Sequence, residues 1–163
     1  MSLERILAFV SEIGLTVQQR QLPSSTFLPG ILIEGGTIVV DPATLAHPGD
    51  ILHEAGHLAV SLPSQRPKLS DNLQTGAGEE MAAIGWSYAA ALHLGLDPAV
   101  VFHPAGYKGG SASLLENFAA GRYLGVPLLQ WYGVTRERDD GSGRPVYPKM
   151  SSWLRAEPAP VDT

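Results

Sequence analysis

The sequence predicts an α+β domain, with a small antiparallel sheet of about three strands packed on a helical core. Three observations carry that prediction. Apolar residues recur at helical spacing near the start, at Leu3, Ile6, Leu7, Val10 and Ile13. Two short β-rich runs, Gly30 to Glu34 and Thr37 to Val40, then flank the pair Gly35-Gly36. Two longer helical patterns follow, at about residues 51–62 and 79–94, separated by a stretch rich in Pro, Ser and Gly.

Each element has its own local reason. Ser2 can cap the first helix, and Gly14 stops it. From Leu15 the apolar period changes to two, with Leu15 and Val17 alternating against Thr16 and Gln18, which reads as a strand. A break from Pro23 to Pro29 leads into the hairpin, and Asp41-Pro42 closes it. Asp50 offers an N-cap for a helix over Ile51 to Leu62, which Pro63 ends. Pro63 to Gly78 reads as an exposed loop, and the next helix runs from Glu79 to Leu94, with Gly95 as its stop. The small residues Ala82, Ala83, Gly85 and Ala89 to Ala91 permit a close approach to a neighbouring helix. Pro98 to Phe102 suits a single turn, and Ser113 with Glu116 suggests a capping box for a helix to Leu124. A last short segment surrounds Leu128 to Tyr132.

Composition bounds the function. With 163 residues, 44% hydrophobic and 17% charged, the chain reads as one globular domain over residues 1–156. The Pro-rich residues 157–163 read as a disordered tail. A net charge of -5 without a basic cluster argues against direct nucleic-acid binding. No apolar run is long enough for a membrane span, and the N-terminus lacks the pattern of a secretory signal, so a cytoplasmic protein is expected. Zero cysteines exclude disulfides and thiolate ligands, so a metal here must take nitrogen and oxygen donors.

One stretch concentrates chemistry: His53-Glu54-Ala55-Gly56-His57. Residues four apart share one helix face, so both imidazoles can grip one zinc ion while Glu54 projects beside it as a general base. Ile51, Leu52, Ala55, Leu58, Ala59 and Leu62 give the helix an apolar side that roots the histidines in the core. A catalytic zinc usually takes three protein ligands and keeps one position for water. Glu79 and Glu80, opening the next helix, are the nearest carboxylates able to supply the third. Acidic residues in a first turn also suit the helix dipole, an account that needs no metal.

The run from Pro29 to Val60 resembles the ImmA/IrrE family of metallopeptidases: a hairpin, then a helix with a His-Glu-x-Gly-His core. The family's next helix typically reads Glu-x-x-Ala-Asn/Asp-x-Phe, and Glu80-Met81-Ala82-Ala83-Ile84-Gly85-Trp86 is similar to it at the glutamate, the alanine and the aromatic. The resemblance covers roughly residues 15–96 and implies a zincin-like core in which Glu80 joins His53 and His57 on zinc. It departs at Ile84, where the family has Asn or Asp, and at Leu92 to Leu96, which replaces a Leu-Leu-Met-Pro ending.

The expected function is therefore a zinc-dependent metallopeptidase that uses a metal-activated water, with Glu54 as base. The alternative is a metal-binding or interaction domain that keeps the fold without efficient catalysis. A peptide or protein substrate is implied, and the resemblance points to a regulatory protein. His93, His103 and Tyr107 are the candidate donors to the oxyanion that such hydrolysis develops. Tyr107-Lys108-Gly109-Gly110 reads as a turn, His47 as a loop residue, and Trp86, Trp131 and Trp153 as core or partner-facing anchors.

Overall fold

The computed structural model describes residues 2–71 and 76–160. It contains α1 (Ser2–Glu12), β1 (Thr16–Gln19), β2 (Ile31–Glu34), β3 (Thr37–Val40), α2 (Gly49–Val60), α3 (Ala77–His93), α4 (Ser111–Ala119) and α5 (Val126–Trp131). Short 3-10 turns lie at Arg66–Lys68, Pro98–Val100 and Tyr107–Gly109. The class is α+β, as the sequence predicts, and no described helix is long and apolar enough to cross a membrane. Parts of the expected loop and tail, residues 72–75 and 161–163, lie outside the described residues.

The sheet corrects one expectation. It has three strands, but it is mixed and not antiparallel, in the order β1-β3-β2. The hairpin is where the sequence puts it: β2 and β3 pair antiparallel, Ile33 opposite Ile38, around Gly35 and Gly36 at φ 56° and 76°. Two adjacent left-handed residues give a turn whose twist matches that of the flanking strands. β1, however, pairs parallel with β3, Val17 opposite Ile38. The connection from β1 is long enough to cross over, so the chain enters β2 at the far edge and leaves β3 in the centre.

The helices cover this sheet. α1 buries Ile6 and Val10, two of the positions its apolar spacing marks, together with Phe9, which that spacing does not include. Ile38 and Val40 of β3 join Ile51, Leu52 and Leu58 of α2 and Trp86 of α3 in one core. α2 and α3 pack closely because small residues meet there. A Cβ on Gly56 would stand 3.0 Å from the Ala83 carbonyl oxygen, and Ala82, Ala83, Ala89, Ala90 and Ala91 are all buried.

The start of α2 differs from its reading. The helix begins at Gly49, the cap position is Pro48, and no side chain caps it. Asp50 lies inside the first turn, where its carboxylate is taken by His103. Gly49 is needed for contact: a Cβ there would lie 1.9 Å from the Val100 carbonyl oxygen. Gly49→Ala should therefore push α2 off the 98–100 turn and destabilise the fold by about 1–3 kcal/mol. A thermal melt should show a loss of roughly 2–4 °C per kcal/mol for a domain of this size. An unchanged melting temperature would mean that the contact is not needed.

The end of α2 is tied by side chains. Ser61 is extended and its hydroxyl donates to the His57 carbonyl at 2.7 Å. The Arg66 guanidinium donates to the carbonyls of Leu58 (2.7 Å) and Ser61 (3.0 Å), a favourable place for a cation at a helix C-terminus. Arg155 donates its N–H to Ala59 (2.9 Å) and its guanidinium to Val60 (3.2 Å). Glu157, read from composition as part of a loose tail, accepts a hydrogen bond from the Ser64 N–H at 2.6 Å. The expected capping box at Ser113 and Glu116 is not used. α4 starts at Ser111 behind Gly110, and the Ser111 hydroxyl donates to the His103 carbonyl at 2.5 Å.

Candidate metal centre

α2 presents His53 and His57 one turn apart, and their Nε2 atoms lie 3.1 Å from each other. Glu80 comes from the first turn of α3, which the close packing at Gly56 holds across α2. Its Oε1 is 3.2 Å from His53 Nε2 and its Oε2 is 2.8 Å from His57 Nε2. The three residues form a group that could hold a metal ion. Of the two neighbouring glutamates, Glu80 is half-buried and turned to the histidines, whereas Glu79 is exposed.

The donor spacing suits zinc. For bonds of about 2.0–2.1 Å, two ligands of a tetrahedral zinc stand roughly 3.3–3.4 Å apart. The two nitrogens are 3.1 Å apart, and Glu80 meets them with different oxygens, Oε1 at 3.2 Å and Oε2 at 2.8 Å, all slightly tighter than that. The donors, two imidazole nitrogens and a carboxylate oxygen, are of the kind zinc accepts.

The electrostatics favour the deprotonated carboxylate. Hydrogen bonds from His53 and His57 hold Glu80 far below the ordinary carboxylate value. Burial alone would lower the His53 pKa, but hydrogen bonding and charge from Glu80, aided by Glu54 and Asp50, raise it. Glu54 does the reverse of Glu80. Burial pushes its carboxyl above the usual range, and the neighbouring histidines only partly oppose this. A carboxylate raised toward neutrality is better matched to moving a proton than one held low.

A cleft of about 340 Å³ opens over these residues, lined by His53, Glu54, His57, Glu80 and Tyr107. Its apolar side is formed by Leu28 and Ile31, with the highly exposed Phe27 at the mouth. Of the three side chains considered for the oxyanion, Tyr107 alone lines the cleft. Its hydroxyl is 3.0 Å from His53 Nδ1. His103 is buried and engaged with the Asp50 carboxylate at 2.6 Å, its ring stacked on His47. His93 packs with Phe9 and Trp153 at the other end of α3. Among the tryptophans, Trp86 is fully buried and donates to the Trp153 carbonyl at 2.9 Å, while Trp131 is exposed.

Three features of the site carried no usable signal in the sequence. The Asp50–His103 pair ties the first turn of α2 to the segment that leads into Tyr107. Tyr107 and Lys108 both adopt left-handed backbone, φ 56° and 52°, which is uncommon for residues with a side chain. Ser87, two turns beyond Glu80 in α3, is fully buried and donates to the Ile84 carbonyl at 2.9 Å. Comparison with family models, curated proteins and solved structures finds no match to this chain.

Proposed function

We propose that the chain is a zinc-dependent metallopeptidase of the ImmA/IrrE-like kind, acting on a peptide or protein substrate. The observation that supports this best is the meeting of His53, His57 and Glu80 within 4.8 Å, in a cleft that also holds Glu54. Zinc held there would polarise a substrate carbonyl and make water a stronger nucleophile at neutral pH.

The chain's own residues supply the rest. His53, His57 and Glu80 are the holding set. Glu54 stands one residue after the first ligand with its pKa raised by burial, so it accepts the proton of the attacking water and returns it to the leaving amine. Leu28, Ile31 and Phe27 offer apolar surface on which a substrate side chain can rest.

A second reading keeps the metal and drops the reaction. Ile84 favours it, because this residue is buried at 7% exposure where the family carries Asn or Asp. The first test is metal content. Protein purified without any chelator should carry one zinc per chain, read by elemental analysis. Absence of stoichiometric zinc would overturn both readings.

A further inference from the structure

The loop that carries Tyr107 is tied to the motif helix through one residue, His103. Its Nε2 lies 2.6 Å from the Asp50 carboxylate in the first turn of α2, and the two side chains are only 9% and 12% exposed. The other ring nitrogen, Nδ1, is buried without a hydrogen-bond partner, so Asp50 is the ring's one polar tie among the described residues. The ring plane is held by His47, stacked on it at 3.8 Å and 9°. Gly106 also closes on it: a Cβ there would lie 3.3 Å from His103 Cε1.

The backbone of the same residue gathers the loop behind it. The His103 carbonyl accepts from the Gly106 N–H at 3.0 Å and from the Ser111 hydroxyl at 2.5 Å. Between these bonds the chain turns through Tyr107 and Lys108, both in left-handed backbone. Such conformations cost free energy and persist where the neighbourhood over-determines them. Gly106, Gly109 and Gly110 would give an untied segment many alternatives. The tie at residue 103 removes them.

What the loop delivers is the Tyr107 side chain. Its hydroxyl is 3.0 Å from His53 Nδ1, and the two rings stand edge to face at 90°. Phe102 packs on the Tyr107 ring at 5.3 Å, an apolar contact that makes no hydrogen bond. A metal-ligating histidine is usually oriented by a partner on its other ring nitrogen. His57 lacks one, since its Nδ1 is buried without a hydrogen-bond partner among the described residues. His53 has Tyr107, and Tyr107 depends on its loop.

A buried pair such as Asp50 and His103 contributes little to stability, because desolvation offsets much of the attraction. Its contribution is geometric: it joins the helix that bears His53 to the loop that bears Tyr107, one helical turn before His53. We propose that Asp50 and His103 are positioning residues, whose bond seats the 103–111 loop on α2 so that Tyr107 is held against His53. This rests on the metal reading above and goes beyond it, because it places the support of a ligand in a pair outside the ligand set.

The test uses the full chain with His103→Leu, Asp50→Ala, Asp50→Asn and Tyr107→Phe. His103→Leu keeps bulk and removes the bond, and Asp50, which lines the cleft, is then open to water. Asp50→Ala removes the same bond from the other side. Asp50→Asn loses the charge but keeps an oxygen that can accept from the His103 ring. Two readouts are taken: the through-space NMR contact between the His53 and Tyr107 rings in metal-free protein, and zinc affinity by competition with a chelating dye. His103→Leu and Asp50→Ala should lose the ring contact and bind zinc about 10-fold more weakly, the lower end of the usual effect of a lost outer partner. Neither should weaken binding further when Tyr107→Phe is already present, since the pair acts through that hydroxyl. Asp50→Asn should keep both the contact and the affinity.

The combined change, Asp50→Ala with His103→Leu, leaves neither partner buried alone, so it reads the same contact in the least disturbed fold, which an unfolding curve verifies. A ring contact retained in this folded double variant overturns the inference. So does a zinc loss in Asp50→Asn equal to that in Asp50→Ala, which would mean that Asp50 acts on His53 by its charge alone. If the parent binds no zinc, the metallopeptidase reading fails, and the metal-free ring contact still decides this one.

Discussion

Glu54→Gln should yield a folded protein that still carries its zinc but hydrolyses peptide substrate about 10²–10⁴-fold more slowly, the usual range for loss of a general acid–base group. The substitution keeps shape and removes only the capacity to take a proton. Glu54 is not among the three residues gathered as a metal group, so metal content should not move. Its neighbours on α2, Leu52 and Ala55, are fully buried and untouched, so stability should be near that of the parent. The measurement is paired: zinc stoichiometry and hydrolysis of a peptide library on the same preparation. Parent protein that binds zinc and cleaves nothing, with a variant indistinguishable from it, would favour the non-catalytic reading.

Glu80→Ala should have the largest effect on the metal itself, with zinc affinity lower by more than about 100-fold, since loss of even an outer partner costs 10–100-fold. Glu79→Ala is the matched control and should leave affinity unchanged, because that side chain is exposed on the same first turn and outside the group. The pair separates coordination from helix-dipole effects, which a first-turn carboxylate supplies at either position. Equal losses in the two variants would remove Glu80 from the ligand set. The core below should persist, since Trp86 and the alanines of α3 stay packed.

How much of this was legible depends on how local each signal is. The motif helix could be read because its apolar spacing and its two histidines obey one periodicity. The hairpin could be read because Gly35 and Gly36 lie next to the strands they join. The parallel pairing of β1 could not, since it is decided by a crossover that no short window displays. Asp50 looked like a cap because the residue that claims its carboxylate, His103, is far along the chain. Glu80 was separated from Glu79 only through a resemblance, as both satisfy the dipole equally.

The closure of the α2 C-terminus has a consequence for what counts as the unit of this site. An excerpt spanning residues 49–93 would contain His53, Glu54, His57 and Glu80, yet it would lack Arg155, which occupies the carbonyls of Ala59 and Val60. It would also lack the Trp153 carbonyl that receives the Trp86 indole. The ligands are close together in sequence, but the frame that holds them is written at the opposite end. The site is therefore not portable: grafting the motif and its glutamate onto another scaffold moves the letters and leaves the brace behind.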